Sequence, residues 1–593
     1  MLGSDKHFLN SPSSLVLDSL TGLCASNPNV KLDTVNKVLY QAEPDKSKVA
    51  VICGGGSGHE PAHAGYVGSG MLSAAVCGNV FASPNASQVR AGIDLVDNNK
   101  GTLIVVKNYT GDVLNFGLAK ENYAASSPDK IDNIKFIIVG DDVSVGRSQG
   151  SIVGRRGLAG TVLVYKIAGA LARRGASLNE VYQVSQWVST RLGTIGAGLE
   201  HCHVPGTEAA KSHLSTTEVE IGMGIHNEPG HTRLSPIPPL NKLVDHLLEL
   251  IMSTSDQERS FLPFKNDGSD EVVLLVNNLG GLSELELGNI AGETVKLLEN
   301  KAKVLRVLVG SFMTSLNMPG FSLTLLLLPT ALDGNAPSTT KILSLLDEKT
   351  EAPGWRWSSG SIPKPLSEAT KTPPTTNIQS TKNYPKLSAL DASAFISSIR
   401  NACKSVIVAE PLITQMDNIA GDGDAGLTLK AGAEGVLKEL DSGNIDGSDI
   451  IGATLVIAKQ AAEQMGGTSG ALYSIFFSSL AQGLISSVPS STSQVTLEIW
   501  SKALNHALDR LFSYTRARPP SRTLVDPLAA FVKTLSSSDF STAVKAAGDA
   551  AEATKNLEAK AGRSAYVESD LLKKEKVADP GAWGVKVILE NLS

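Results

Sequence analysis

Sulfur, aromatic rings and net charge are all scarce in this sequence. Its 593 residues include five cysteines (Cys24, Cys53, Cys77, Cys202 and Cys403), an odd number, widely scattered and with no Cys-x-x-Cys pair. That spacing argues against a disulfide scaffold or a thiolate zinc site, and it fits a reducing compartment. Lys and Arg number 53 against 59 acidic residues, a formal charge of −6, and no long basic block occurs. Without a phosphate-neutralising surface, nucleic acid is not expected as a partner. No apolar run approaches the roughly 18 residues of a membrane span. The nearest, Leu323 to Leu328, is broken by Pro329, and no apolar signal-type segment follows Met1-Leu2-Gly3. These absences predict a soluble cytoplasmic protein that does not engage the membrane.

What the chain does have is length and apolar content: 42% of the residues are hydrophobic, enough for several cores. Residues 351–386 stand apart, with six prolines and ten Ser or Thr in 36 positions. Such a composition reads as a linker, here 353–386, with Gly354-Trp355-Arg356-Trp357 close enough to pack back on the preceding domain. A flexible tether of roughly 30 residues spans about 30 Å, long enough to dock the following domain within its own chain or on a neighbour.

Before the linker, residues 1–352 alternate short β-branched runs with helical patterns. Val49–Ile52, Leu103–Val106, Phe136–Val139, Val272–Asn277 and Val304–Val309 predict buried strands of α/β layers, in two subdomains of about 1–190 and 191–352. In a doubly wound arrangement ligands gather in the turns at the carboxyl ends of such strands. After the linker, residues 387–593 predict an all-helical domain. Its helical stretches are 425–440, 448–464, 468–485, 496–510, 541–560 and 582–590.

Five constellations carry chemistry. Gly54-Gly55-Gly56-Ser57-Gly58-His59-Glu60-Pro61 follows the first strand and reads either as a tight βα turn or as a loop whose backbone approaches an oxygen-rich ligand. It matches neither the dinucleotide fingerprint nor the Walker loop. Lys107-Asn108-Tyr109-Thr110-Gly111-Asp112 places a Lys and an Asp after the next strand, either as solvated turn charges or as groups that polarise a bound hydroxyl. Ile221 to Gly230 sets His226 in a glycine-rich loop, where an imidazole serves as nucleophile, as ligand or simply as packing. Asp417-Asn418-Ile419-Ala420-Gly421-Asp422-Gly423-Asp424-Ala425-Gly426 gathers three carboxylates within eight residues. It reads as an acidic capping turn or as a magnesium site, and the calcium-loop spacing is absent. Met465 to Gly470 opens a helix with Gly467, Thr468 and Ser469, as caps or as a phosphate cradle.

In this order the motifs closely resemble the ATP-dependent dihydroxyacetone kinases (glycerone kinases) in their single-chain eukaryotic form, over nearly the whole chain. The resemblance implies an N-terminal triose-binding domain and a C-terminal eight-helix barrel that binds Mg-ATP. It implies that His226 forms a reversible hemiaminal with the substrate ketone. Gly56, Ser57, Gly58, His59, Lys107 and Asp112 would hold the triose hydroxyls, with His59 and Asp112 handling the proton of the attacking hydroxyl. Asp417, Asp422 and Asp424 would ligate two magnesium ions on the ATP phosphates.

The nucleotide itself would be met by Asp424, Ala425, Gly426, Gly467, Thr468, Ser469, Arg522, Thr523, Leu524, Arg563, Asp579, Pro580 and Gly581. Where the family usually reads Gly-Asp-Arg-Thr-Met, this chain has Pro520-Ser521-Arg522-Thr523-Leu524. The resemblance further implies a domain-swapped homodimer acting on dihydroxyacetone and on D-glyceraldehyde. A non-catalytic triose-sensing regulator is the alternative, and it has no use for the metal-triphosphate aspartates.

Overall fold

The run Ala50 to Cys53 and the four residues after it form one strand, β3 (Ala50–Ser57), buried along its whole length. In the computed structural model, which describes residues 5–208, 213–330, 333–369, 384–489, 493–560 and 575–592, β3 lies inside the first of two six-stranded sheets. Its companions are β1 (Val30–Asp33), β2 (Val38–Gln41), β4 (Ala74–Val80), β5 (Thr102–Lys107) and β6 (Ile134–Val139). The order is β1-β2-β4-β3-β5-β6, with β4, β3, β5 and β6 parallel and β2 antiparallel to β4. Apolar clusters cover both faces, which explains why these strands read as continuous apolar runs rather than as alternation.

The glycines expected as a turn after Ile52 are therefore mostly strand. Gly54 leaves no room for a side chain: a Cβ there would sit 2.2 Å from the Val76 carbonyl oxygen and 2.8 Å from the Phe116 ring. Gly54→Ala is expected to cost about 1–3 kcal/mol through overpacking. A urea midpoint unchanged from wild type would show that the β3–β4 contact can give.

The second sheet contains β7 (Leu192–Gly198), β8 (Val219–Ile221), β9 (Thr232–Leu234), β10 (Glu271–Asn278), β11 (Lys303–Gly310) and β12 (Gly320–Leu327). Its order is β11-β10-β12-β7-β8-β9, and only β10 and β11 run parallel. This departs from a doubly wound sheet. A parallel return needs a crossover of about a dozen residues or more, and only residues 311–319 separate β11 from β12. The apolar run at Leu323 is the middle of β12, buried at every position. Among the described residues no helix is long and apolar enough to cross a membrane.

Both sheets belong to one compact unit, residues 1–374, and the second unit is 375–593. In the second unit the described α-helices are Ala392–Ala420, Ala425–Asp441, Ile450–Gln460, Gly467–Ser487, Leu497–Tyr514, Val525–Leu535, Phe540–Ala553 and Pro580–Glu590. Side chains of Asp391, Asp449, Thr496, Asp539 and Asp579 accept backbone N–H groups at the starts of their helices. Two helices lie outside the expected set, Ala392–Ala420 and Val525–Leu535. Each contains a proline, but Pro527 stands in a first turn, where the missing N–H has no partner to lose.

Candidate active site

Because β3, β4 and β5 are parallel, the segments that leave them lie along one edge of the sheet. They carry Gly58-His59, Phe81-Ala82-Ser83 and Lys107-Asn108-Tyr109. His59 is fully buried and stacks on Phe81 with 5.2 Å between ring centroids. Its Nδ1 lies 2.8 Å from the Thr314 carbonyl oxygen, which can only accept, so Nδ1 carries the hydrogen. Its Nε2 lies 3.0 Å from Nε2 of His226, which comes from the loop after β8 in the other sheet. The His226 ring meets Phe81 and Tyr109 edge to face, at 5.1 and 4.7 Å. Behind it, Glu228 accepts from the His226 backbone N–H and pairs with Nδ1, both at 2.9 Å.

Charge in this pocket is tightly held. Burial pushes the His59 imidazole well below its ordinary range, and the charges of Lys107 and His226 add to that. Burial also draws the Lys107 ammonium down and the Asp112 carboxyl up, each opposed by the other's charge. For Glu228 burial acts upward, but the hydrogen bonds and charge of His226, with the charge of Arg156, outweigh it and hold the carboxyl at about 2.

Lys107 Nζ has no hydrogen-bond partner, and Asp112 accepts from Ser83 Oγ. A buried donor without a partner beside a carboxylate suits a small polyhydroxylated ligand. The glycines keep backbone close: at Gly56 a Cβ would lie 2.8 Å from the Ala82 nitrogen, and Gly58 has φ +105°. The Ser57 hydroxyl donates to the Gly78 carbonyl oxygen at 2.9 Å, a bond within the scaffold.

In the helical unit, Asp417, Asp422 and Asp424 offer carboxylate oxygens that all lie within 4.8 Å of one another. Asp417, 5% exposed, accepts from the Ala425 N–H at 2.9 Å, while the other two are exposed. A side chain at Gly421 would meet Asp417 Oδ1 at 2.2 Å, and Gly423 turns with φ +84°. Three like charges this close repel by roughly 1 kcal/mol per pair even in water. The donor set is oxygen only, which fits a hard divalent cation.

The three aspartates open onto a cavity of about 520 Å³, lined also by Ala425, Gly467, Thr468, Ser469, Thr523, Leu524, Asp579, Pro580 and Gly581. Gly467 to Ser469 supply the N–H groups at the start of their helix. Burial raises the Asp579 carboxyl to about 6, against its bond from the Ala582 N–H and the charge of Arg522.

Two family models match this sequence: the Dak1 domain over residues 21–354 and the DAK2 domain over 419–593. A Komagataella pastoris protein named dihydroxyacetone kinase is 43% identical, over 100% of this chain and 98% of its own. The chain belongs to the dihydroxyacetone kinase family. The human triokinase/FMN cyclase is 37% identical over 99% of both chains. Among solved structures, the dihydroxyacetone kinase of C. freundii in complex with AMP-PNP and Mg2+ matches with a TM-score of 0.65. It is 28% identical and covers 99% of each chain.

Not every residue expected at the nucleotide lies in the cavity wall of this family member. Gly426 sits where two helices cross, a Cβ there falling 2.2 Å from Thr414 Oγ1. Arg522 is 1% exposed, and its Nη2 donates to the Val577 carbonyl oxygen at 2.8 Å. Arg563 lies outside the described residues. Conversely, Tyr473, Tyr514 and Thr515 line the cavity without having been expected. In the first unit, Phe81, Tyr109, Thr314 and Glu228 surround the histidines, yet sequence reasoning gave them no role. Tyr109 and Glu228 stand inside the quoted motifs, so their spacing was available as a signal; Thr314, 255 positions from His59, gave none.

Proposed function

We propose that this protein transfers the γ-phosphoryl group of ATP to dihydroxyacetone, and to D-glyceraldehyde, giving the triose phosphate. The observation that carries the reading is the imidazole of His226, backed by Glu228 at Nδ1 and placed with Nε2 3.0 Å from Nε2 of His59, in a pocket whose charges include Lys107 and Asp112. His226 Nε2 adds to the substrate ketone to form a hemiaminal. Gly56, Ser57, Gly58, Lys107 and Asp112 surround the hydroxyls, and Asp112 with His59 takes the proton of the hydroxyl that attacks phosphorus. In the helical unit, which we read as an eight-helix barrel, Asp417, Asp422 and Asp424 would hold two magnesium ions for the ATP phosphates. When bound, these ions neutralise charge on the transferred group.

In-line transfer brings the two halves within a few ångströms, and the family resemblance supports a homodimer in which each helical domain serves its partner's triose site. All five cysteines are free thiols, which supports a cytoplasmic location. A triose-sensing regulator without catalysis leaves the aspartate cluster unexplained.

Glycerol tests the reading. Its hydroxyls suit the same pocket, but it has no carbonyl carbon for His226 to attack. Dihydroxyacetone should therefore drive ATP consumption and glycerol should not. Turnover of glycerol at a comparable rate would remove the hemiaminal from the mechanism.

A further inference from the structure

The helix that opens the aspartate cavity, Gly467–Ser487, carries Tyr473 in its second turn. Ser469 and Tyr473 stand at i and i+4, so they share a face, and side chains on a helix lean back towards its N-terminus. Both border the cavity of about 520 Å³ whose wall includes Asp417, Asp422, Asp424 and Asp579. The Tyr473 hydroxyl oxygen is buried and has no hydrogen-bond partner among the described residues. Buried polar groups are normally paired, and an unpaired one lowers stability in a way that a phenylalanine at the same place would not.

The ring itself is well accommodated. It packs against two apolar clusters of the helical unit and lies nearly parallel to Phe477, with 6.4 Å between centroids. Two further cavities, of about 350 and 150 Å³, border the same ring. Tyr473 apart, the smaller is lined by apolar side chains throughout. The larger has no charged side chain, and its other hydroxyls are those of Ser398 and Thr454, the latter donating to the Ile450 carbonyl oxygen at 2.8 Å. Charged and polar chemistry therefore lies on one side of the ring, towards the aspartates. Burial pushes the phenol above its ordinary range and the charge of Asp579 adds to that, so the hydroxyl is a donor at any working pH. Asp579 does not accept from it; its Oδ1 takes the Ala582 N–H at 2.9 Å instead.

We propose that Tyr473 is a nucleotide-binding residue whose hydroxyl donates to an oxygen of the bound nucleotide. The proposal rests on the reading of this cavity as the ATP site. Phosphates and ribose are rich in acceptor oxygens, the kind of partner the buried hydroxyl lacks in the protein alone. The N–H groups of Gly467 to Ser469 offer an anion its seat at the start of the helix, and Tyr473 adds a donor on the same helix face as Ser469. The hydroxyl thus acts in opposite directions in two states. In the protein alone it is an unpaired donor that weakens the fold, and in the complex it is a hydrogen bond that strengthens binding.

Tyr473→Phe removes that one oxygen and keeps the ring. Magnesium AMP-PNP is titrated calorimetrically into wild type and variant, the urea midpoint of each protein is measured without nucleotide, and steady-state kinetics give KM for ATP and for dihydroxyacetone. The variant should bind AMP-PNP about two- to tenfold more weakly, the range of a single hydrogen bond, and KM for ATP should rise to match. KM for dihydroxyacetone should stay as in wild type, and the urea midpoint should equal or exceed it. A purely structural hydroxyl would instead lower the midpoint.

AMP-PNP affinity equal to wild type would overturn the proposal. A urea midpoint clearly below wild type would overturn it as well, because the hydroxyl would then have a partner inside the folded protein. An equal loss of affinity for dihydroxyacetone would count against it in the same way. If wild type itself bound no AMP-PNP, the ATP reading of the cavity would fall and this inference with it.

Discussion

Chains carrying Asp422→Asn or Asp424→Asn are expected to bind dihydroxyacetone as wild type does and to lose phosphoryl transfer. Both carboxylates are exposed, so neutralising either leaves the helical core as it is, whereas Asp417 also holds the Ala425 N–H. A metal ion contributes several kcal/mol to phosphoryl-transfer transition states, so losing a ligand should lower kcat by about 10³-fold. Calorimetry for the triose and a coupled assay for ADP separate the two effects; a parallel loss of triose affinity would count against the division of labour. The same variant tests the dimer. A chain with His226→Ala and a chain with Asp422→Asn, each inactive alone, are co-expressed and the mixed species is purified by two tags. A swapped dimer rebuilds one intact site of two and should show about half of wild-type activity. A mixed species as inactive as its parents would place both halves of each site on one chain.

The second large effect separates the two histidines. His59→Ala removes a buried imidazole that, in the proposed mechanism, meets the reacting hydroxyl, and general acid–base groups of this kind contribute about 10²- to 10⁴-fold, so kcat should fall by that much. His226→Ala removes the group proposed to capture the ketone, and its main effect should be on KM for the triose. Steady-state kinetics over a range of dihydroxyacetone concentrations distinguishes the profiles. Identical changes in kcat and KM for both variants would mean that the pair acts as one unit.

Much of this was legible in the sequence, and for physical reasons. Strands β3, β5 and β10 are buried on both faces, so they appear as short unbroken apolar runs that end where polar chemistry begins. The helical half was evident because alanine- and leucine-rich spacing persisted for several turns. Helix Ala392–Ala420 was hidden by Pro411 in its interior, and β12 by a leucine run that says nothing about its partner.

Site geometry was less accessible. His59 and His226 stood in separate motifs, and nothing local announces a 3.0 Å contact across 167 positions. Gly426 stood in the right motif, but its neighbours are a helix crossing. A glycine's purpose depends on what approaches it, and sequence does not record that.

The seam between the sheets has a consequence for how the protein is born. Gly58 and His59 carbonyls accept from the Leu316 and Thr314 N–H groups, so the loop after β3 is locked by a segment more than 250 residues downstream. On a ribosome, β1 to β6 emerge early and can pair with near neighbours. The paired imidazoles cannot form until the chain beyond β11 has appeared and closed a very long loop, the kind of non-local step that slows folding and exposes unfinished surface. Accumulation of the protein and appearance of its ligand pocket are therefore separable events. Conditions that shorten the time for late assembly would yield chains with native strands and an unformed histidine pocket.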